Sequence, residues 1–275
     1  MSLLSSLILG FIQGVAEFLP ISSSGHLAIA EQLLGMQGVS DIPEFFDVLL
    51  HLGTLVAVFA AYWAEIRELI MEFFSSIGDI AKGRKLTPLV PARRMILLVI
   101  VGTLPLFVVL PIKDFVECLA NNMFFVGGAL IFTGCLLFMS DRVHRGRKSE
   151  KNASYIDALL VGIAQAIATC PGISRSGMTI TAGCFTGFER SFAVRYSFIM
   201  SIPAILGANI LSIKDAIGTI DVSAVPAYLA GMAVSAIVGY ACIRLLKMIA
   251  ASGRFGAFAY YCWGVGVLTL ILTVL

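Results

Sequence analysis

The stretch Gln13-Gly14-Val15-Ala16-Glu17-Phe18-Leu19-Pro20-Ile21-Ser22-Ser23-Ser24-Gly25-His26 sets a carboxylate, three hydroxyls and an imidazole inside an otherwise apolar segment. A second stretch echoes it. At a fixed offset of 152 residues, Gly10 aligns with Gly162, Gln13 with Gln165, Ala16 with Ala168, Ile21 with Ile173, Ser22 with Ser174, Ser24 with Ser176 and Gly25 with Gly177. These are seven identities in the 17 positions from Gly10 to His26. Unrelated segments of that length would share roughly one, so the chain reads as a duplicated unit. Repeat 1 covers about residues 1–150 and repeat 2 about 151–275, and each carries a polar loop at the same place. No linker or low-complexity segment divides the chain, which predicts one integral membrane domain over 1–275.

Composition excludes a water-soluble domain. The 275 residues are 59% hydrophobic and 13% charged, with a mean hydropathy of +0.95, outside the soluble range for a chain of this length. Apolar runs long enough to cross a bilayer are Met95–Ile112, Met123–Ser140, Tyr196–Ile213, Val222–Ile243 and Phe255–Leu275. A further run from Phe45 to Trp63 contains Asp47 and His51, which makes six crossings. Ala64 to Arg94 is expected to be an amphipathic helix and a loop, with Arg67, Glu68 and Glu72 on a solvated face. Two stretches remain, Ser2–Leu34 and Ser154–Phe185, and they hold the two polar loops.

Charge sets the topology. Met1 to Trp63 contains no lysine or arginine. Arg67, Lys82, Arg84, Lys85, Arg93 and Arg94 follow; the next connection carries only Lys113, and the one after it Arg142, Arg145, Arg147, Lys148 and Lys151. By the positive-inside rule the rich loops are cytoplasmic and the Lys113 loop external. If Ser154–Phe185 enters the membrane and returns to the same side, sixteen of the 19 basic residues lie inside and two outside, with Arg175 at membrane depth. A full crossing there would give 12 inside and six outside, a poorer bias. The expected fold is therefore an all-α polytopic membrane protein: about six transmembrane helices plus two re-entrant helix-loop-helix hairpins, in two inverted-topology repeats. Such repeats bring broken helices face to face near the midplane. Gly25 and Gly177 suit the hairpin turns, and Pro20 and Pro171 suit helix ends. The N-terminus lacks the positive region of a cleavable signal, so the first segment is expected to be retained. Six cysteines without C-x-x-C spacing read as small buried hydrophobes.

An ionisable group in a bilayer costs a few kcal/mol or more and normally has a partner or a function. Glu17, His26 and Arg175 all fall in the two loops, so facing loops bring an acid and an imidazole from one repeat to a guanidinium from the other. With glycines, serines and helix N-termini around them, this is equipment for a polyanion, most naturally phosphate. Glu17 would repel phosphate unless a cation lay between them, which points to Mg²⁺ or Ca²⁺ and to phosphoryl transfer. Glu17, Ser23, His26 and Arg175 are the candidate catalytic residues. Gln13, Ser22, Ser24, Gly25, Gly172, Ser174, Ser176 and Thr179 are the candidate substrate-binding residues, and Glu17 and Gln13 the candidate metal ligands. Asp47 and His51, four apart on one helix face, could support the site or simply bond each other. Glu31 is expected at the external interface.

At these residues the chain resembles the BacA-type undecaprenyl-pyrophosphate phosphatases, which remove one phosphate from the C55 isoprenoid diphosphate so that the lipid carrier of cell-wall synthesis can be reused. The resemblance rests on Gln13-Gly-Val-Ala-Glu17-Phe-Leu-Pro-Ile-Ser-Ser23-Ser-Gly-His26, on Phe46-Asp-Val-Leu-Leu-His-Leu-Gly-Thr54, and on Pro171-Gly-Ile-Ser174-Arg175-Ser176-Gly-Met-Thr179. It implies that Glu17 and Gln13 help bind the metal or that Glu17 acts as base, that Ser23 and His26 take part in phosphoryl transfer, and that Arg175 clamps the diphosphate. It also implies a multi-pass protein of the plasma (inner) membrane, a site open to the external or periplasmic face, and an association with bacitracin resistance. The implied partners are undecaprenyl diphosphate and membrane lipid, with no nucleic acid and a possible homodimer. Many members of the family carry glutamate where this chain has Gln13, which cannot act as a base. Two mechanisms stay open: Ser23 attacks phosphorus with His26 taking its proton, or a water attacks with Glu17 or His26 as base. Inverted repeats alone equally suit a transporter or flippase for a phosphorylated lipid or small anion.

Overall fold

The computed structural model describes residues 1–35, 42–84, 90–143, 146–216, 221–252 and 255–274. Three of the basic residues that set the topology, Lys85, Arg145 and Arg254, lie outside them, as does Leu275. The described residues form helices and short turns, with no named strand among them. The helices are α1 (Leu3–Phe18), α2 (Ser23–Gly35), α3 (Glu44–Ala61), α4 (Trp63–Ala81), α5 (Pro91–Thr103), α6 (Lys113–Cys118), α7 (Met123–Ser140), α8 (Tyr155–Ile167), α9 (Arg175–Phe185), α10 (Arg190–Ala216), α11 (Val225–Ser252) and α12 (Gly256–Val274).

Six apolar stretches among the described residues are long enough to cross a membrane: Glu44–Ala61, Pro91–Asn121, Met123–Ser140, Arg190–Ile213, Val222–Ala251 and Gly256–Val274. Their number and order follow the sequence pattern, and they make the chain a multi-pass membrane protein. Large apolar side chains stay on the outside, among them Leu4, Phe107, Ile156, Ile210 and Ile237, as helices solvated by lipid require. The second crossing is not one α-helix. It runs α-helical to Thr103 and then as 3₁₀ turns over Leu104–Val108 and Leu110–Ile112, because Pro105 and Pro111 lack the N–H that would continue the ladder. The expected amphipathic helix is α4. Its Glu72 is not simply solvated: it accepts a 2.7 Å hydrogen bond from Arg93 Nε, and Arg93 Nη2 reaches Asp79 at 3.2 Å, so α4 is tied to the start of α5.

The two polar loops sit between short helices, α1–α2 and α8–α9. At 16, 13, 13 and 11 residues each is shorter than the roughly 20 residues a crossing needs, which suits paired re-entrant hairpins. α1 ends at Phe18 because Leu19 precedes Pro20 and is pushed to extended backbone, φ −68° and ψ 142°. α8 opens with a capping box in which Ser154 and Asp157 bond each other's backbone N–H groups. The tight turns are made differently from the sequence expectation. Gly25 and Gly177 lie inside the first turns of α2 and α9; the left-handed residues are Ser22, φ +74°, and Gly172, φ +86°.

Gly25 and Gly177 serve contact rather than turning. A Cβ on Gly25 would stand 3.0 Å from Gly172 Cα, and one on Gly177 would stand 3.4 Å from Pro20 Cβ. At the 152-residue offset Gly25 corresponds to Gly177 and Pro20 to Gly172, so the two contacts are the same contact made twice with the repeats exchanged. Gly10 of α1 likewise closes on Gly231 of α11, and its counterpart Gly162 of α8 on Gly102 of α5, each with a carbonyl 2.3 Å from the missing Cβ. Exchanged contacts of this kind are what a two-fold between duplicated units generates.

Candidate active site

The loops meet at Glu17, the penultimate residue of α1. Its side chain is 3% exposed and forms an ion pair with Arg175, the first residue of α9, whose side chain is 22% exposed. The other carboxylate oxygen accepts Ser23 Oγ at 2.7 Å and Gln13 Nε2 at 3.2 Å. Gln13 lies one turn before Glu17 on α1, which is why their side chains share a face. Ser23 and Arg175 occupy equivalent positions in the two repeats and open equivalent helices, and both converge on one carboxylate. Glu17 thus has a cation, a hydroxyl and an amide around it, the support that a buried charge requires.

The remaining loop serines build the frame. Ser22 Oγ accepts the N–H of Gly25 at 3.2 Å and Ser174 Oγ that of Gly177 at 3.1 Å, so both act as N-caps. Ser22 and Ser24 hydroxyls stand 3.4 Å apart, and their counterparts Ser174 and Ser176 3.3 Å. Ser176 Oγ crosses between loops to donate to Leu19 O at 3.4 Å. Thr179 Oγ1 donates to Arg175 O at 2.8 Å and meets Ser197 Oγ of α10 at 2.6 Å. Ser22, Ser174, Ser176 and Thr179 are buried, whereas Ser24 is exposed. Sequence inspection missed Thr133 of α7, whose hydroxyl accepts from Ser174 N at 3.1 Å and donates to Gly172 O at 3.2 Å. A lone threonine in an apolar span carries no signal that could have singled it out.

His26 is next to the cluster but turned to another task. Its Nδ1 is 2.7 Å from Ser22 O, which can only accept, so Nδ1 carries the proton. In the neutral ring Nε2 then accepts from Tyr261 of α12, 2.9 Å away, with the two rings nearly parallel. The Ser23 hydroxyl therefore donates to Glu17 and not to His26. Tyr261 lies 235 residues further along the chain, and nothing local in the sequence connects it to the loop.

Other candidates resolve simply. His51 Nδ1 is bonded to Asp47 O at 3.0 Å with the Asp47 carboxylate 3.5 Å away, so that pair bonds itself. Glu31 accepts the backbone N–H of Ile42 at 2.8 Å. All six cysteines are free; Cys184, Cys242 and Cys262 are buried as expected, but Cys118 and Cys135 are exposed.

The donor set suits a hard cation in part. Gln13 Oε1 is buried with no hydrogen-bond partner, directly beside the Glu17 carboxylate, and neutral and anionic oxygens are what Mg²⁺ or Ca²⁺ takes. No group of three or more His, Cys, Asp or Glu residues that could hold a metal occurs among the described residues. Any cation there would take its further oxygens from substrate and water.

Comparison with known proteins gives one family. The family model "Bacitracin resistance protein BacA" matches residues 6–268. The chain is 44% identical over its whole length to an undecaprenyl-diphosphatase of Methanosphaera stadtmanae, of which it covers 99%. It is 37% identical over its whole length to one of Alkaliphilus metalliredigens, covering 100% of that protein. A third, from Methanobrevibacter smithii, is 39% identical, with 98% of each chain covered.

Proposed function

Because the chain belongs to the bacitracin resistance protein BacA family, we propose that it is an undecaprenyl-diphosphatase that hydrolyses the lipid diphosphate to the monophosphate and inorganic phosphate. The observation that carries the proposal is the convergence of Glu17, Ser23 and Arg175, from loops 152 residues apart, on one hydrogen-bonded point. Arg175 offers the planar fork of donors that phosphate oxygens accept, and it stands at the meeting of the loops.

The chemistry follows from exchanging the partner of Arg175. In the structure its charge is satisfied by Glu17. A diphosphate carries more charge and draws the guanidinium toward itself, which releases the Glu17 carboxylate from its ion pair. Glu17 already accepts the Ser23 hydroxyl, so it can take that proton as Ser23 Oγ bonds to phosphorus, or take one from an attacking water. The His26 ring, held at both nitrogens, fixes the turn through Ser22 O and orients rather than deprotonates Ser23. A divalent cation held by Glu17 and Gln13 would neutralise diphosphate charge. The charge bias favours an opening on the external face, with membrane lipid around the prenyl tail.

Phosphate release from undecaprenyl diphosphate by the purified protein, with and without EDTA, tests the proposal for the parent and Glu17→Gln. Metal-dependent release that the substitution abolishes is expected. Lipid binding without release under any cation would favour transport. Arg175→Ala should lower kcat/KM by a factor on the order of 100 or more, as loss of one charge-stabilising contact of about 3 kcal/mol does. Ser23→Ala separates the two nucleophiles: a trapped phosphoserine lost in this variant identifies serine, whereas turnover within about tenfold of the parent identifies water.

A further inference from the structure

Beside the Glu17–Arg175 pair lies a cavity of about 10 Å³, the room one water needs. Ser197 and Ser201 of α10 line it together with the pair, and Phe18 and Phe198 close it with rings packed edge to face at 5.5 Å. The two serines are one helical turn apart and buried, at 4% and 5% exposure. Nothing in the loop motifs points to them.

Their hydrogen bonds fix what they present. Thr179 Oγ1 spends its single proton on a backbone carbonyl, so the 2.6 Å contact with Ser197 uses the Ser197 proton. Ser201 Oγ donates to Phe198 O at 2.8 Å. Each serine therefore turns only lone pairs to the cavity. Glu17 adds an anionic acceptor and Arg175 a charged donor, while Ser176, which also lines the cavity, directs its hydroxyl proton to Leu19 O at 3.4 Å. A water in this cage directs its protons to the carboxylate and a serine oxygen. Once Arg175 turns to the substrate, the water oxygen loses its charged donor, and its lone pair is left for an electrophile.

We propose that the cavity holds the single water that attacks phosphorus, with Ser197 and Ser201 as its positioning residues. The water oxygen forms the new P–O bond and its proton passes to Glu17. The bond that breaks joins phosphorus to the departing prenyl monophosphate oxygen, or to Ser23 Oγ if the serine has first been phosphorylated; in that second case the proton taken from Ser23 has left with the prenyl monophosphate, and Glu17 passes the water proton on to Ser23 Oγ. The inference rests on the diphosphatase assignment, and phosphate release by the parent tests that assignment separately.

Given an active parent, Ser201→Val fills the cavity with methyl groups while leaving the loops untouched. The expected result is a kcat lower by about a hundredfold, the scale of a misplaced reactant. KM should stay within roughly threefold, because substrate contacts are unchanged. A kcat within about threefold of the parent in a folded variant overturns the proposal. Should Ser201→Val fail to fold, the Ser197→Ala/Ser201→Ala double variant in methanol–water supplies the answer. A cage that fits only water yields inorganic phosphate from the parent, whereas the enlarged cage of the double variant admits methanol and yields methyl phosphate as well. Equal product ratios from parent and variant would mean that the nucleophile comes from elsewhere.

Discussion

At the scale of the residue, Glu17 is the point on which the site turns. Its carboxylate is buried against one cation, Arg175, and two neutral donors. Removing only the cation leaves a buried anion without its counter-charge, whereas removing both charges leaves a polar but neutral cluster. Arg175→Met is accordingly expected to lower stability by about 3–5 kcal/mol, and Glu17→Gln in the same chain to restore most of it, without activity in either. Thermal midpoints in detergent decide this; a double variant no more stable than the single would show that the pair is not what holds the loops. Glu17 is legible in the sequence because a carboxylate in an apolar segment stands out. The bond from Ser23 to Glu17 rather than to His26 is not, since it depends on how the turn at Ser22 aims each side chain.

At the scale of the element, the hairpins depend on backbone approach. Gly172 combines φ +86° with a missing Cβ that would meet Ala129 Cβ at 2.7 Å and Val126 O at 2.8 Å. Gly172→Ala should cost about 2 kcal/mol or more and markedly reduce turnover, because both the strain and the clash displace the loop that carries Arg175. Gly207→Ala, in α10 with nothing within 4 Å of the new methyl, should instead gain roughly 0.5–1 kcal/mol. Comparison of the two melting temperatures separates special glycines from incidental ones.

The start of α8 makes a prediction in pH. Burial alone would raise the Asp157 pKa, but the hydrogen bonds from Lys148 and Ser154, with the charge of Lys148, outweigh it and hold the carboxyl below its usual value. A depressed pKa in the folded state means that this contribution is full above the unfolded value and is lost as pH falls through the folded one. Asp157→Asn should therefore melt lower than the parent near neutrality, with the gap narrowing toward acid pH. A gap independent of pH would assign the effect to capping geometry alone.

At the scale of the whole molecule, the topology we propose from the positive-inside rule has Lys113 and its neighbours outside and the Arg142 and Lys148 loop inside. Cys118, exposed at the end of α6, reports on this directly. A membrane-impermeant maleimide should label it in intact cells, and Cys118→Ser should remove that signal. Labelling only after lysis would invert the topology and move the opening of the site to the cytoplasmic face.

The sequence by itself determined the class, the number and order of the crossings, and the two polar loops. Hydropathy and buried charge are local and one-dimensional, and the duplication is visible because seven identities survive at one offset. Tertiary structure decided which hydroxyl faces which carboxylate, the turning of His26 to Tyr261, the pinning of the second loop by Thr133, and the approach of Ser197 and Ser201 to Glu17. Those partners come from helices far apart in the chain. Their side chains are ordinary in an apolar span, and only the packing of one repeat into the other gives them a polar neighbour.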